Sequence, residues 1–401
     1  MILTPLPSGP HDGHVWPSEE QALILAAGLL RDERAELSFA LWKQRVDVER
    51  EFDWQMVRLL PMVYTNLSSR GVQDDLMSRL KGVYRRAWVE NQQQLHRAAP
   101  AVIALCDAGI PVMLLKGAPM VLSYYGNHAH RPMSDLDVAV PAEQVLTAMQ
   151  VLRDAGWRAG AMPDASDERL QWSHAMQFVH PDGGELDLHW RVMVETTTPR
   201  TLAPFWETQE PLQFAGRTVS MLAPTEMLFH TVLHGVRWNE ATPIRWIADA
   251  LQIIKVRGLD IDWDRLRWLA TELRVTHRLQ LGLSYLATYY GIAVPDTVLE
   301  RMRAIRPKWR ERLEAHLLLA DQRGWPKHFS YWYFTLLGDF ARVADERLNP
   351  LSFCWDFTNY VRFRLGLGGR REFIHLAARG VWRRVAGLEA RRRAAPDPST
   401  S

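Results

Sequence analysis

Cysteine is nearly absent from this 401-residue chain: Cys106 and Cys354 stand alone, far apart and outside any CxxC spacing. That excludes a disulfide framework and argues against a structural zinc cluster. Long apolar runs are missing as well. No stretch reaches the roughly 18 uninterrupted apolar residues of a membrane span, and the opening MILTPLPSGPHDGHVWPSEEQ lacks the basic and apolar regions of a secretory leader. Nor is there a surplus of either charge. With 48 basic residues against 46 acidic ones, the molecule as a whole does not draw nucleic acid or lipid, so any charge preference has to be local. The expectation is a soluble, cytoplasmic protein. Tryptophan, by contrast, is plentiful: 17 residues are scattered from Trp16 to Trp382, which reads as packing between helices.

Texture divides the chain into three blocks. Residues 1–100 form an N-terminal helical region: a Pro- and Gly-rich start expected to be disordered, then Ser18 opening a helix with Gln21 placed for a capping box, then segments with apolar residues at three- and four-residue spacing. Residues 101–205 change character. IPVMLL is a short branched run that leads through Lys116 and Gly117 into APMVLSYYG, which reads as strand, tight turn and helix. SDLDVAV reads as a second strand and AEQVLTAMQVLRDAG as an amphipathic helix. HAMQFVHPDGGELDLHWRV reads as a hairpin turning at Pro181, Asp182, Gly183 and Gly184. Residues 222–401 return to helical texture and end in a basic stretch, ten Arg between Arg362 and Arg393 against Glu372 and Glu389, with a tail of disordered composition. The predicted class is α+β and mostly helical, a small mixed sheet flanked by N- and C-terminal helical regions.

The chemistry-bearing pattern lies in the middle block. Asp135 and Asp137 are two apart on a strand, so their carboxylates point the same way and repel unless a cation sits between them. Mg²⁺ is the usual answer, because it takes oxygen ligands from one or two carboxylates plus substrate phosphates. Asp187, flanked by Leu186 and Leu188, points away from its apolar neighbours and can approach the pair from an adjacent strand. Three carboxylates can hold two metals about 4 Å apart and stabilise both oxygens of an in-line phosphoryl displacement. A glycine between strand and helix, here Gly117, lets backbone N–H groups approach an anion, and Lys116 would add a point charge. Arg131 either contacts phosphate or braces the acidic strand by ion pairing.

The run LLKGAPMVLSYYGNHAHRPMSDLDVAV followed by ELDLHWRV resembles a bacterial nucleotidyltransferase family of the DNA polymerase β-like superfamily, in which an LKG turn, an R-x-x-S-D-[IL]-D strand and a DLHW strand follow in that order. The similarity covers roughly residues 85–255. It implies a small mixed sheet with flanking helices, Asp135 and Asp137 as paired metal ligands, and Asp187 as the third carboxylate and metal ligand, positioning and deprotonating an acceptor hydroxyl. Lys116 and Gly117 then stand where the superfamily's Gly-Ser turn meets the triphosphate, with Ser134, Arg131 and His189 beside the nucleotide. Mg²⁺ or Mn²⁺ would be the cofactor and ATP or another nucleoside triphosphate the substrate. The acceptor could be a small molecule, a peptide or a protein; nucleic acid is not indicated. Two other readings share these residues: phosphoryl transfer on the same fold, and a non-catalytic, antitoxin-like binding module.

Several further residues stay open. His189 follows Asp187 by two and shares its face, in the site or as a structural hydrogen-bonder, and His174 starts the hairpin. His230 and His234 are four apart on a helix without the Glu of a HExxH motif, since position 231 is Thr, so a packed or cleft-lining pair is favoured. Trp238, Arg245 and Asp249 line a pocket from the helical side or pack and pair there. The basic stretch is either a solvated face or an anion-binding surface.

Overall fold

The computed structural model describes residues 15–47, 53–160, 167–237, 243–292, 294–309 and 350–364, with short pieces at 311–312, 336–337, 340, 343–344 and 371–372. The apolar periodicity of the first block resolves into α1 (Glu19–Leu29), α2 (Glu33–Arg45), α3 (Trp54–Val57), α4 (Leu60–Ser69) and the 31-residue α5 (Met77–Asp107). The capping box at the start of α1 is present: Gln21 N–H donates to the Ser18 hydroxyl at 3.2 Å, and Ser18 N–H donates to the Gln21 side chain at 3.0 Å. Residues 1–14, expected to be disordered, and most of the basic C-terminal stretch lie outside the described residues.

The mixed sheet comes next in the chain. β1 (Met113–Leu115) is followed by the short α6 (Gly117–Pro119) and a π-helical turn over Met120–Tyr125, then β2 (Leu136–Ala139), α7 (Val145–Asp154) and β3 (Arg158–Ala159). After α8 (Asp167–Trp172), β4 (Ala175–Val179) and β5 (Glu185–His189) make the hairpin read from the Pro-Asp-Gly-Gly turn. α9 (Pro199–Glu207) leads to a second hairpin, β6 (Glu210–Phe214) and β7 (Arg217–Met221), that the sequence reading left unassigned. The order across the seven strands is β3-β4-β5-β2-β1-β7-β6. β2 runs parallel to β5, and β1 parallel to β7, while the remaining neighbours are antiparallel. The architecture is α+β.

The two-residue period of the strands sorts side chains between the faces. Leu136, Val138, Leu186 and Leu188 are fully buried on one face, and α5 packs against β2, β5 and β7. Asp137, Ala139, Asp187 and His189 share the other face, where Met113, Leu115 and Ala139 join the apolar core of the C-terminal helices. Those helices are α10 (Pro224–Gly235), α11 (Arg245–Arg257), α12 (Trp263–Glu272), α13 (Thr276–Tyr290) and α14 (Asp296–Ala304). Glycines permit their close approach: a Cβ on Gly235 would run into Trp246 of α11, and one on Gly282 into Val232 and Val236. Trp16 stacks on Tyr285 of α13 at 4.6 Å, joining the start of the described chain to the same core. All of these elements except α8 belong to the larger of two compact units; the smaller contains α8 and α15 (Pro350–Arg364), with Trp172 edge-on to Tyr360 at 5.8 Å.

Candidate active site

β2 and β5 lie side by side in register, Asp137 opposite Asp187 and Ala139 opposite His189. Alternation therefore sends Asp137, Asp187 and His189 to one face, and each offers a ligand atom within 4.8 Å of the others. Asp135 precedes the strand. It is half-exposed, stands outside that tight group, and accepts a hydrogen bond from the Ser134 hydroxyl at 3.3 Å.

Asp137 is the most heavily engaged of the acids. The Lys116 ammonium pairs with its Oδ1, and His189 Nε2 donates to the same oxygen at 2.9 Å. Burial works to raise this carboxyl, yet the Lys116 charge and the His189 hydrogen bond hold it well below the usual carboxylate range. Asp187 goes the other way: burial, then the negative charges of Asp137 and Asp135, raise it. Asp137 thus stays an anion while Asp187 is made a better proton acceptor. The donation from Nε2 leaves His189 Nδ1 buried without a hydrogen-bond partner among the described residues. Two carboxylates from neighbouring strands, with Asp135 within electrostatic reach, fit a hard divalent cation such as Mg²⁺ or Mn²⁺.

In front of Asp137 opens a cleft of about 470 Å³ whose walls span residues from Gln55 to Asp249. Lys116, Gly117, Arg131, Ser134 and Asp135 line it, as do His230 and His234 from α10 and Arg245 and Asp249 from α11. Asp187 and His189 stand behind, off its lining. His174 is also off the lining, its ring 5.3 Å from that of His189, while the rings of His230 and His234 stack at 5.8 Å. Burial lowers His230 to about 3 and drives His174 and His234 well below the ordinary histidine range, so all three sit as neutral rings.

Arg131 is an ion-pair partner: its Nε meets Asp249 Oδ2 at 3.0 Å, and Tyr125 donates its hydroxyl to Asp249 Oδ1 at 2.7 Å. Arg131 also crowds Gly117, where an added Cβ would lie 2.7 Å from Arg131 Nη1 and 2.6 Å from Met133 Sδ. A side chain there would have to displace both. Lys116 has φ +51 and ψ −106, a strained turn between β1 and α6 that aims its side chain back at Asp137. Trp238 lies outside the described residues.

Two residues that shape this site were not read from the sequence. Asn91 of α5 is fully buried: it donates to the carbonyls of His128 and Arg131, and accepts from Met133 N–H at 2.8 Å, which fixes the loop entering β2. Arg58, at the end of α3, lines the cleft. Neither carries a local signal, because both sit in ordinary helical patterns and find their partners tens of residues away.

Residues 54–291, more than half of the chain, match the family described as uncharacterised nucleotidyltransferase. The chain belongs to that family. It is a nucleotidyltransferase, and its acidic strands and basic cleft fall inside the matched span. Among solved structures, the antibiotic-resistance factor ANT(2'')-Ia is similar to the enzyme over 47% of this chain and 94% of its own, at 13% identity and a TM-score of 0.33. The structure of ANT(2'')-Ia with adenylyl-2''-tobramycin is similar over 46% and 99%, at 14% identity and a TM-score of 0.32. An antigenic nucleotidyltransferase-like protein from Paracoccidioides brasiliensis is similar over 52% and 93%, at 18% identity and a TM-score of 0.32. No curated protein matches the chain. Among the described residues no helix is long and apolar enough to cross a membrane.

Proposed function

We propose that the enzyme transfers a nucleoside monophosphate, AMP from ATP, to a hydroxyl of an acceptor and releases pyrophosphate. The observation that carries this reading is the in-register pairing of Asp187 with Asp137, which itself lines a cleft rich in cations. Asp135, Asp137 and Asp187 would hold Mg²⁺ or Mn²⁺, which supplies charge neutralisation at the triphosphate. The chain's own residues do the rest. Asp187, raised by burial and by its acidic neighbours, takes the proton of the acceptor hydroxyl as that oxygen bonds to the α-phosphorus and the bond to the leaving pyrophosphate breaks. Lys116 offers its ammonium beside Asp137, and Gly117 lets the Arg131 guanidinium lie close against the same turn. His189 fixes the Asp137 carboxylate through its Nε2 donation at 2.9 Å. The C-terminal helices provide the wall against which a base or acceptor packs, since Trp246, His230 and His234 line it.

The reading is tested by incubating the protein with Mg²⁺ or Mn²⁺, ATP labelled at the α-phosphate and a panel of hydroxylated small molecules, peptides and proteins. Label should pass to an acceptor, and Asp187→Asn should reduce transfer by at least about a hundredfold with an unchanged melting temperature. Transfer of γ-label in place of α-label would make the enzyme a phosphotransferase. Absence of Mg²⁺-dependent ATP binding by calorimetry would favour a non-catalytic, antitoxin-like module.

A further inference from the structure

Arg58 belongs to none of the motifs around the acids, yet its position is built. It caps the C-terminus of α3, and its backbone carbonyl accepts a hydrogen bond from Arg245 Nη1 at 2.5 Å. The same guanidinium reaches the His130 carbonyl through Nη2, so the end of α3 and the turn before β2 are clamped together. Arg58 Nη2 in turn donates to the Pro132 carbonyl at 3.3 Å.

The charges on this wall do not cancel. Arg58, Arg131 and Arg245 all line the cleft, and Asp249 serves two of them, Arg131 at 3.0 Å and Arg245 at 3.7 Å. Among the described residues the hydrogen-bond partner of the Arg58 side chain is a neutral carbonyl, with no carboxylate in ion-pair range. Burial, then the like charges of Arg131 and Arg245, lower Arg58 to about 10 against the weaker pull of Asp249 and Asp135, so it remains a cation at neutral pH. Grouped, desolvated cations with too few countercharges are unfavourable, and three guanidinium forks together suit the paired oxygens of a multiply charged phosphate better than a singly charged carboxylate.

We infer that Arg58, together with Arg131 and Arg245, forms a seat for a polyphosphate group, contributed in part by a helix that precedes the sheet. The seat deepens the nucleotidyl-transfer reading and rests on it only for the source of the phosphate, either the tail of the nucleotide or a phosphate-bearing acceptor.

Calorimetric titration of the full chain with tripolyphosphate in EDTA tests the seat directly. The protein should bind, more weakly as salt rises. Arg58→Ala should weaken binding on the order of tenfold or more, and Arg58→Lys, which keeps the charge without the fork, should fall between. Melting curves of both variants confirm that they fold, and the lysine variant carries the test if the alanine variant does not. Equal affinity in the folded variants and the parent, or no binding by the parent, overturns the seat. Repeating the titration with a non-hydrolysable ATP analogue bound separates the sources: mutual exclusion assigns the seat to the nucleotide's tail, and simultaneous Arg58-dependent binding to an acceptor's phosphate. Arg58-dependent binding in a protein that transfers no α-label would leave the seat standing while the proposed reaction fails.

Discussion

Lys116 holds φ +51 and ψ −106, a region of backbone space that side chains other than glycine enter only at a cost. Two substitutions separate that strain from the ammonium's contact with Asp137. Lys116→Gly loses the charge but relieves the backbone, whereas Lys116→Ala loses the charge and keeps the strain. Denaturant unfolding should therefore find the glycine variant more stable than the alanine variant by about 1 kcal/mol; equal stabilities would show that the turn is unstrained. The acids were legible at this scale because a strand's two-residue period declares which side chains share a face. The partners of the cleft's arginines were not. Arg131 meets Asp249 across 118 residues, and Arg58 touches Pro132 across 74, distances over which no local pattern speaks.

Between elements, α10 and α11 approach closely where Gly235 lies directly against the ring of Trp246. Both residues also line the cleft. Gly235→Ala should push the two helices apart and destabilise the fold by about 1–3 kcal/mol, read as a lowered melting temperature. A variant that melts like the parent would mean that Trp246 turns aside without resistance. The β4–β5 hairpin announced itself by its four turn residues, but the β6–β7 hairpin went unread. Its signal was present: Phe214 pairs with Arg217 around the two-residue loop Ala215-Gly216, both at positive φ, the geometry of a type I′ turn. Alanine at the first position hid it, since that turn ordinarily takes Asn, Asp or Gly there.

For the molecule as a whole, four histidines set a dependence on acidity. Burial lowers His130 to about 4 and His230 to about 3, and it drives His174 and His234 in the same direction. An unfolded histidine titrates near 6.5. Between roughly pH 6.5 and 4 the unfolded chain therefore binds protons that the native one refuses, so stability falls as pH falls, by up to about 1.4 kcal/mol per unit for each ring. Asp187, raised in the fold, works against this at the acid end, but it is one group against four. Melting temperatures from pH 8 to 4 should be level above about 6.5 and drop below it; a flat profile would mean that these rings are charged in the native state. The mostly helical α+β class was legible from texture alone, whereas the way the terminal helices wall the cleft was not, because their sequences are those of ordinary cores.

That the cleft draws its walls from Gln55 through Asp249 has a practical corollary. A graft of residues 101–205 onto a foreign scaffold would carry the three acids and leave behind Arg58, Arg245 and the histidine pair of α10. A transplant that keeps the whole cleft needs the long stretch from α3 to α11, since shorter excisions part the acids from some of the arginines that face them.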